Sequence, residues 1–163
     1  MITLQPITSR TGFAVCQMKA DPTLVASNIQ SLAEAFAYYS EHKQMPIAYA
    51  VCHNGISVGF IMALYNPPTE FAPFIDNKGE PYYYLWRNMI DEKHQNKGYG
   101  RAAMELLIAE AKAGKYGEAN AFYTGSAPES PVTAKFYGSF GFVNTGEIDR
   151  DGDDYEYIMR LAF

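Results

Sequence analysis

The chain has 163 residues, 48% of them hydrophobic, which is enough for one domain with a hydrophobic core. It carries 13 basic and 18 acidic residues, and this net charge of −5 argues against a nucleic-acid partner. No apolar run is long enough to span a bilayer, and the N-terminus lacks the charged and apolar regions of a signal peptide. We therefore expect a single cytoplasmic domain over residues 1–163 with no membrane partner.

The N-terminal third predicts one strand and three helix starts. Residues 2–7 favour a strand, and Ser9 or Thr11 is a suitable cap for a short helix. Asp21-Pro22 has the residue types of an N-cap followed by the first helical position. Ser31-Leu32-Ala33-Glu34 has the spacing of a capping box and predicts a helix ending near residue 39 or 41.

The cysteines and the acidic C-terminal turn give no sign of a metal site. Cys16 and Cys52 lack metal-ligand spacing, and we expect both to be reduced. The acids of residues 149–154 are reminiscent of a calcium loop, but the required Glu and flanking helices are missing. We therefore predict that no metal is used.

The middle of the chain predicts a hairpin followed by a long connection. Residues 47–52 and 56–65 are rich in strand formers, and His53-Asn54-Gly55 supplies the turn. Residues 66–81 then form a loop that Phe71 and Phe74 should pin to the rest of the fold.

A strand, a turn and a helix follow. Residues 82–90 predict an aromatic strand, residues 91–97 a turn and residues 101–113 a helix with an apolar stripe. Gly98 and Gly100 lie between the strand and the helix. Glycine lets the backbone approach a ligand closely, and the first amides of a helix point at an anion. The sequence therefore predicts an anion-binding loop.

The last third alternates again between strand and helix. Residues 119–124 predict a strand and residues 125–129 a turn. Ser130-Pro131 begins a helix, with Ser as the N-cap. Residues 142–149 and 155–161 predict a closing hairpin.

Two motifs together resemble signatures of one enzyme family. Gln95-Asn96-Lys97-Gly98-Tyr99-Gly100 has the form Q-x-x-G-x-G, and residues 135–142 end in Y-x-x-x-G-F. In their strand–loop–helix context they resemble the GNAT superfamily of N-acetyltransferases, although Ser130 and Thr133 replace the usual Asn and Ala. The resemblance implies an α/β fold of the α+β type, with a mixed, mostly antiparallel twisted sheet and helices on both faces.

The resemblance covers nearly the whole chain, and several segments of the chain are similar to one branch of the family. Residues 25–28, 31–35, 58–60, 85–91 and 144–147 look like the bacterial spermine/spermidine (diamine) acetyltransferases. Some polyamine enzymes have an acidic residue on the fourth strand, where this chain has Trp86. The branch implies a polyamine acceptor.

The resemblance also implies a set of functional residues. Acetyl-CoA would be the co-substrate, held by loop amides, by the fourth strand and by the residue that replaces the family Asn. These residues are Met89, Ile90, Gln95, Asn96, Lys97, Gly98, Tyr99, Gly100, Arg101 and Ser130. A backbone N–H near Met89 or Ile90 would donate to the developing oxyanion. Tyr137 would be the general acid for the leaving thiolate. The chain has 13 tyrosines, so a core role for Tyr137 is the alternative.

The sequence says less about the site for the amine acceptor than about the site for the acetyl donor. An alkyl amine resembles lysine, with a pKa of about 10.4, and must lose a proton before it attacks. Carboxylates that could accept this proton are Glu34, Glu70, Asp76, Glu80, Asp91 and Glu92. Glu34 could bind the amine or cap its own helix, and the spacing favours the cap. Tyr84 and Trp86 share one strand face, which could hold a cation or pack in the core.

The resemblance therefore implies an acetyl-CoA-dependent N-acetyltransferase that acts on a small primary amine by direct transfer in a ternary complex. A polyamine is favoured as the acceptor. The alternatives are an amino acid, an aminoglycoside-type antibiotic, a protein N-terminus or lysine, or a non-catalytic acyl-CoA sensor. Enzymes of this family often form homodimers, so the resemblance also allows a dimer.

Overall fold

A computed structural model of the chain describes residues 1–22, 25–128 and 130–163. The strands are β1 (Ile2–Pro6), β2 (Ile47–His53), β3 (Ile56–Tyr65), β4 (Tyr83–Ile90), β5 (Ala121–Ser126), β6 (Val143–Asp151) and β7 (Asp154–Ala162). The helices are α1 (Ser9–Cys16), α2 (Asn28–His42), α3 (Tyr99–Lys112) and α4 (Pro131–Gly138), with a 3-10 turn at Glu92–His94. The strands form one 7-stranded sheet in the order β1-β2-β3-β4-β5-β7-β6.

The sheet is mixed and mostly antiparallel, which confirms the predicted fold class. β1, β2 and β3 pair as antiparallel neighbours, and β7 pairs antiparallel with both β5 and β6. β4 and β5 are parallel, with Tyr83 opposite Phe122. The chain divides into two compact units, Met1–Ala63 with Trp86–Ala109, and Leu64–Leu85 with Glu110–Phe163.

The first unit buries the apolar sides of α1 and α2 together with β2, β3 and the end of β4. The buried residues of this core are Val15, Ala35, Ala50, Cys52, Phe60, Met62 and Met89. Each large side chain buried in this way stabilises the fold by roughly 1.5–3 kcal/mol. The β2–β3 hairpin is confirmed, and its turn residues Asn54 and Gly55 have φ values of 50° and 82°, as a two-residue hairpin turn requires.

The second unit has an aromatic core around β5. Phe122 contacts the rings of Tyr83, Phe142 and Phe163, with ring centroids 5.7–6.4 Å apart. The predicted pinning of the long connection is confirmed, since Phe71 and Phe74 both pack against the ring of Tyr84.

The predicted helix starts near the N-terminus need correction. The cap of α1 is Thr8, whose hydroxyl accepts the N–H of Thr11, and neither Ser9 nor Thr11 is the N-cap. α2 begins at Asn28, because the Ser27 hydroxyl accepts the N–H of Gln30. The predicted capping box at residues 31–34 is therefore wrong, since those residues already lie inside the helix.

Two further boundaries differ from the prediction. Asp21 and Pro22 are not helical, and the two residues that follow them lie outside the described part of the chain. Gly125 and Ser126 belong to β5 and are not part of a turn, because they pair with Ile158 and Tyr157 of β7. The rest of that predicted turn includes residue 129, which also lies outside the described residues.

Candidate active site

The glycine loop links the end of β4 to the start of α3 in the first unit. Asn96 and Gly98 have φ values of 60° and 75°, so two left-handed residues flank Lys97. Alternating backbone handedness turns successive N–H groups towards one point and forms a concave anion site. The side chains of Gln95, Asn96 and Lys97 are exposed, so the loop is open to solvent.

The first turn of α3 adds further donors to this loop. The N–H of Ala102 donates to the carbonyl of Gly98 at 3.1 Å, and this is the first helical bond. The amides of Tyr99, Gly100 and Arg101 precede this bond and lie in the first turn of the helix, where N–H groups point out of the helix end. These amides and the positive end of the helix dipole favour a bound phosphate.

Side chains hold the loop in place. The Gln95 amide nitrogen donates to the carbonyl of Ile90 at 3.0 Å, which ties the loop to the last residue of β4. Tyr99 stacks on His53, with its hydroxyl 3.2 Å from Nδ1 of the imidazole. Gln95, the first residue of the motif, therefore has a structural role, since it fixes the loop to the strand that precedes it.

The end of β4 is held closely against β3 and α2. A Cβ on Gly59 would lie 2.5 Å from the Met89 carbonyl oxygen, so only glycine allows this approach. The buried Asn28 amide donates to the Val15 carbonyl at 2.9 Å and contacts the Met89 sulfur at 3.4 Å. Met89 and Ile90 are therefore fixed in position beside the loop.

Tyr137 lies in the second unit, on α4, and is 8% exposed. Burial raises the pKa of the Tyr137 phenol to about 12; the hydrogen bond with Thr124 opposes this rise, and the negative charge of Glu156 adds to it. The phenol is therefore protonated throughout the physiological pH range and can donate a hydrogen bond. Full transfer of its proton is less favourable than for an ordinary tyrosine, whose pKa is about 10.

Ser130 is the N-cap residue of α4, as predicted, but its side chain makes no capping hydrogen bond. Its carbonyl accepts the N–H and the hydroxyl of Thr133 at 3.1 and 2.8 Å. The side chain is 9% exposed.

Glu34 is paired within the first unit. Its carboxylate accepts a hydrogen bond from Arg87 Nη2 at 2.6 Å and one from the Gln30 amide at 2.8 Å. Arg87 also donates to Ser31 Oγ at 3.1 Å. The charge of Glu34 is therefore balanced inside the protein by a partly buried guanidinium.

Tyr84 and Trp86 lie in different units, although both belong to β4. Trp86 packs on the core of the first unit, its ring 5.9 Å from that of Tyr38 and 5.5 Å from the Arg87 guanidinium. Tyr84 is buried against the rings of the long connection. These contacts describe core packing at both residues.

Two other carboxylates considered as bases have structural contacts. Asp91 is 9% exposed and accepts the N–H of Lys19 at 3.3 Å, so its carboxylate is largely buried. Asp76 accepts the N–H of Lys78 at 2.9 Å in the exposed loop. Within residues 1–22, 25–128 and 130–163, no group of three or more His, Cys, Asp or Glu side chains could hold a metal ion.

Several residues of these sites carry no recognisable sequence signal. Thr124, Gly59 and Asn28 act through contacts with residues distant in the chain. Of these three residues, only Gly59 carries a sequence signal, because an isolated glycine within an apolar strand suggests a close backbone approach.

Residues 13–142 match the acetyltransferase (GNAT) family. The match spans most of the chain, and the protein belongs to this family. It is therefore an acetyltransferase, with acetyl-CoA as its acetyl donor. No curated protein matches the chain by sequence.

Solved structures confirm the fold. The ribosomal-protein-S18-alanine N-acetyltransferase of Escherichia coli is similar with a TM-score of 0.65 at 20% identity, covering 99% of this chain and 94% of that one. Arabidopsis thaliana Naa50, in complex with the bisubstrate analogue CoA-Ac-MVNAL, gives 0.66 at 15% identity, covering 99% of both chains.

A GNAT family acetyltransferase from Elizabethkingia anophelis, with acetyl-CoA bound, gives a TM-score of 0.63 at 15% identity, covering 99% of this chain and 98% of that one. Identities this low relate the folds of the proteins and leave the acceptor open. Among the helices that the structure describes, none is long and apolar enough to cross a membrane.

Proposed function

We propose that this acetyltransferase transfers the acetyl group of acetyl-CoA directly to the nitrogen of a small primary amine, within a ternary complex. The observation that carries this proposal is the loop of Gln95 to Gly100, with two left-handed residues directly before the first turn of α3. It supplies backbone donors suited to a pyrophosphate, which coenzyme A contains.

In this proposal the amides of residues 95–101 bind the pyrophosphate, and the backbone at Met89 and Ile90 faces the acetyl end of the donor. The close packing of Gly59 on the Met89 carbonyl supports a fixed position for that segment. A preorganised N–H donor can stabilise a developing oxyanion strongly. We include Ser130 as a donor contact, in the place where the family has Asn.

We assign Tyr137 the role of general acid. Its high pKa keeps it protonated, so it can donate to the sulfur as the thiolate forms. Because full transfer from such a phenol is unfavourable, we expect hydrogen bonding to sulfur to begin as the carbon–sulfur bond breaks.

We favour a polyamine similar to spermidine or spermine as the acceptor, on the branch resemblance and on the net charge of −5. The packing of Glu34, Tyr84 and Trp86 supports structural roles for them, so their part in binding the amine stays a prediction. We further propose one catalytic domain over residues 1–163 acting in the cytoplasm. The family match, which includes parts of both units, supports the single domain.

The test is release of free thiol from acetyl-CoA across a panel of amines: spermidine, spermine, amino acids, an aminoglycoside, a peptide with a free N-terminus and a peptide lysine. We expect the highest kcat/KM with a polyamine. Turnover confined to another acceptor would reject the polyamine and keep the enzyme. Binding of acetyl-CoA without turnover of any amine would support a sensor.

A further inference from the structure

A carboxylate on β7 occupies the space that a side chain on Gly125 would need. A Cβ built on Gly125 would overlap Oε2 of Glu156 and lie 2.6 Å from its Cδ. Gly125 has no positive φ that would require glycine, so its backbone conformation is open to other residues. Glycine is therefore required at position 125 because the Glu156 side chain occupies the space that a larger residue would need.

The strand register explains how Glu156 reaches this place. Gly125 pairs with Ile158, two residues after Glu156, and side chains two apart in a strand share a face. Glu156 is therefore a diagonal neighbour of Gly125, and the missing Cβ lets its side chain lie across β5. Glu156 is exposed, so a proton that it accepts can leave to water.

The same end of β5 carries the side chain that contacts the proposed general acid. Thr124 precedes Gly125 in the strand and hydrogen-bonds with the Tyr137 phenol. The charge of Glu156 acts on that phenol and contributes to its raised pKa. Ser126 follows Gly125, and its buried Oγ has no hydrogen-bond partner among the described residues. All these residues belong to the second unit.

We propose that Glu156 is the general base, which accepts the proton of the ammonium form of the acceptor amine. The proposal rests on the proposed function, and it assigns a proton acceptor to the same reaction. None of the carboxylates singled out in the sequence as bases lies on the C-terminal hairpin. Glu34 is paired with Arg87, and Asp91 is buried against Lys19.

The proton balance of the reaction is complete with these two residues. Glu156 takes one proton from the ammonium group and passes it to water. The nitrogen lone pair then forms the bond to the acetyl carbon, the carbon–sulfur bond breaks, and the sulfur receives the Tyr137 proton. The nitrogen loses its second proton, which returns to the phenolate through water. One proton is released for each amide formed.

The first experiment compares Glu156→Gln with the wild type at several pH values. At pH 7 we expect a loss of about 10²-fold in kcat/KM for the amine, because general bases typically contribute 10²–10⁴-fold. The KM for acetyl-CoA should change less than about twofold. Asp154→Asn is the matched control, since Asp154 lies on the same face of β7 and is also exposed.

The pH dependence separates a base from a residue that is only structural. Near pH 10 about half of the amine is already neutral, so the deficit of Glu156→Gln should shrink to less than about fivefold. The ionisable groups around Glu156 include Tyr137 on α4 and Asp149 opposite it on β6, and Asp154 and Arg160 lie on the same face of β7. A deficit that stays constant with pH, or one below about threefold at pH 7, would overturn the proposal.

The second experiment tests the contact between the two strands. Gly125→Ala introduces the Cβ that Glu156 excludes, and we expect about a tenfold loss of kcat. In a Glu156→Ala background the same change should cost little, because the shorter side chain leaves room for the new methyl group. Losses that simply add would overturn the proposal. Absence of turnover in the wild type would instead reject the proposed function.

Discussion

The glycine loop of the first unit and the region around Tyr137 in the second unit are built in different ways. The loop of the first unit uses the backbone, with exposed side chains and left-handed residues at Asn96 and Gly98. The region around Tyr137 in the second unit uses side chains, with a buried phenol beside Thr124 and the charge of Glu156. In the proposed mechanism, donor binding therefore depends on local backbone conformation, whereas proton transfer depends on side chains brought together by the fold.

The variant with the largest expected effect on the rate removes the hydroxyl group of Tyr137. We expect Tyr137→Phe to lower kcat by about 10²–10⁴-fold, the usual contribution of a general acid, with the KM for acetyl-CoA unchanged. Stopped-flow measurement of thiol release gives the rate. The control is Tyr116→Phe, which changes a half-exposed tyrosine. A rate close to that of the wild type would make Tyr137 a core residue.

The next test changes the backbone of the loop. Gly98→Ala places a side chain at φ 75°, which costs about 1–2 kcal/mol, and we expect the KM for acetyl-CoA to rise about tenfold. Gly79 has φ 78° and equally open surroundings, so Gly79→Ala is the matched control. Both variants should lose similar stability in urea. An equal KM for the two variants would remove the loop from donor binding.

High pH should weaken the second unit in particular, because its buried tyrosines keep their protons. The pKa is about 12 for both Tyr82 and Tyr137 in the folded protein and about 10 in an unfolded chain. Above pH 10 the unfolded state binds fewer protons than the folded state, so stability falls with rising pH.

Their contribution is fully present below pH 10 and is lost as the pH rises through 12. We expect Tm to drop by roughly 5 °C between about pH 9 and pH 11. Thermal unfolding followed by circular dichroism checks this, and Tyr137→Phe should flatten the curve. A flat wild-type curve would contradict the raised pKa values.

The smallest effect is expected at Glu34, in the first unit. Because Arg87 and Gln30 already satisfy its carboxylate, Glu34→Gln should change the KM for the amine by less than about twofold. Urea unfolding should show a loss of about 1 kcal/mol. Glu41→Gln, at an exposed end of α2, is the control. A rise of about tenfold in the amine KM would place Glu34 in the acceptor site.

Local patterns predicted much of the fold correctly. The β2–β3 hairpin follows from Asn54-Gly55, and the start of α4 follows from Ser130-Pro131. The predicted capping box at Ser31 is wrong because Ser27, about one turn earlier, is the N-cap of α2. The predicted turn at Gly125 failed because pairing with β7 extends the strand.

By itself, the sequence predicted the strand, the glycine loop and the helix that we propose for donor binding. Loop conformation depends on glycine, and anion binding depends on the first amides of a helix, so both can be read along consecutive residues. Only the tertiary structure decided the partners of each carboxylate. Arg87 lies 53 residues from Glu34, and Glu156 reaches Gly125 through strand pairing. Charge pairing and strand register bring such groups together, and neither is encoded in local spacing.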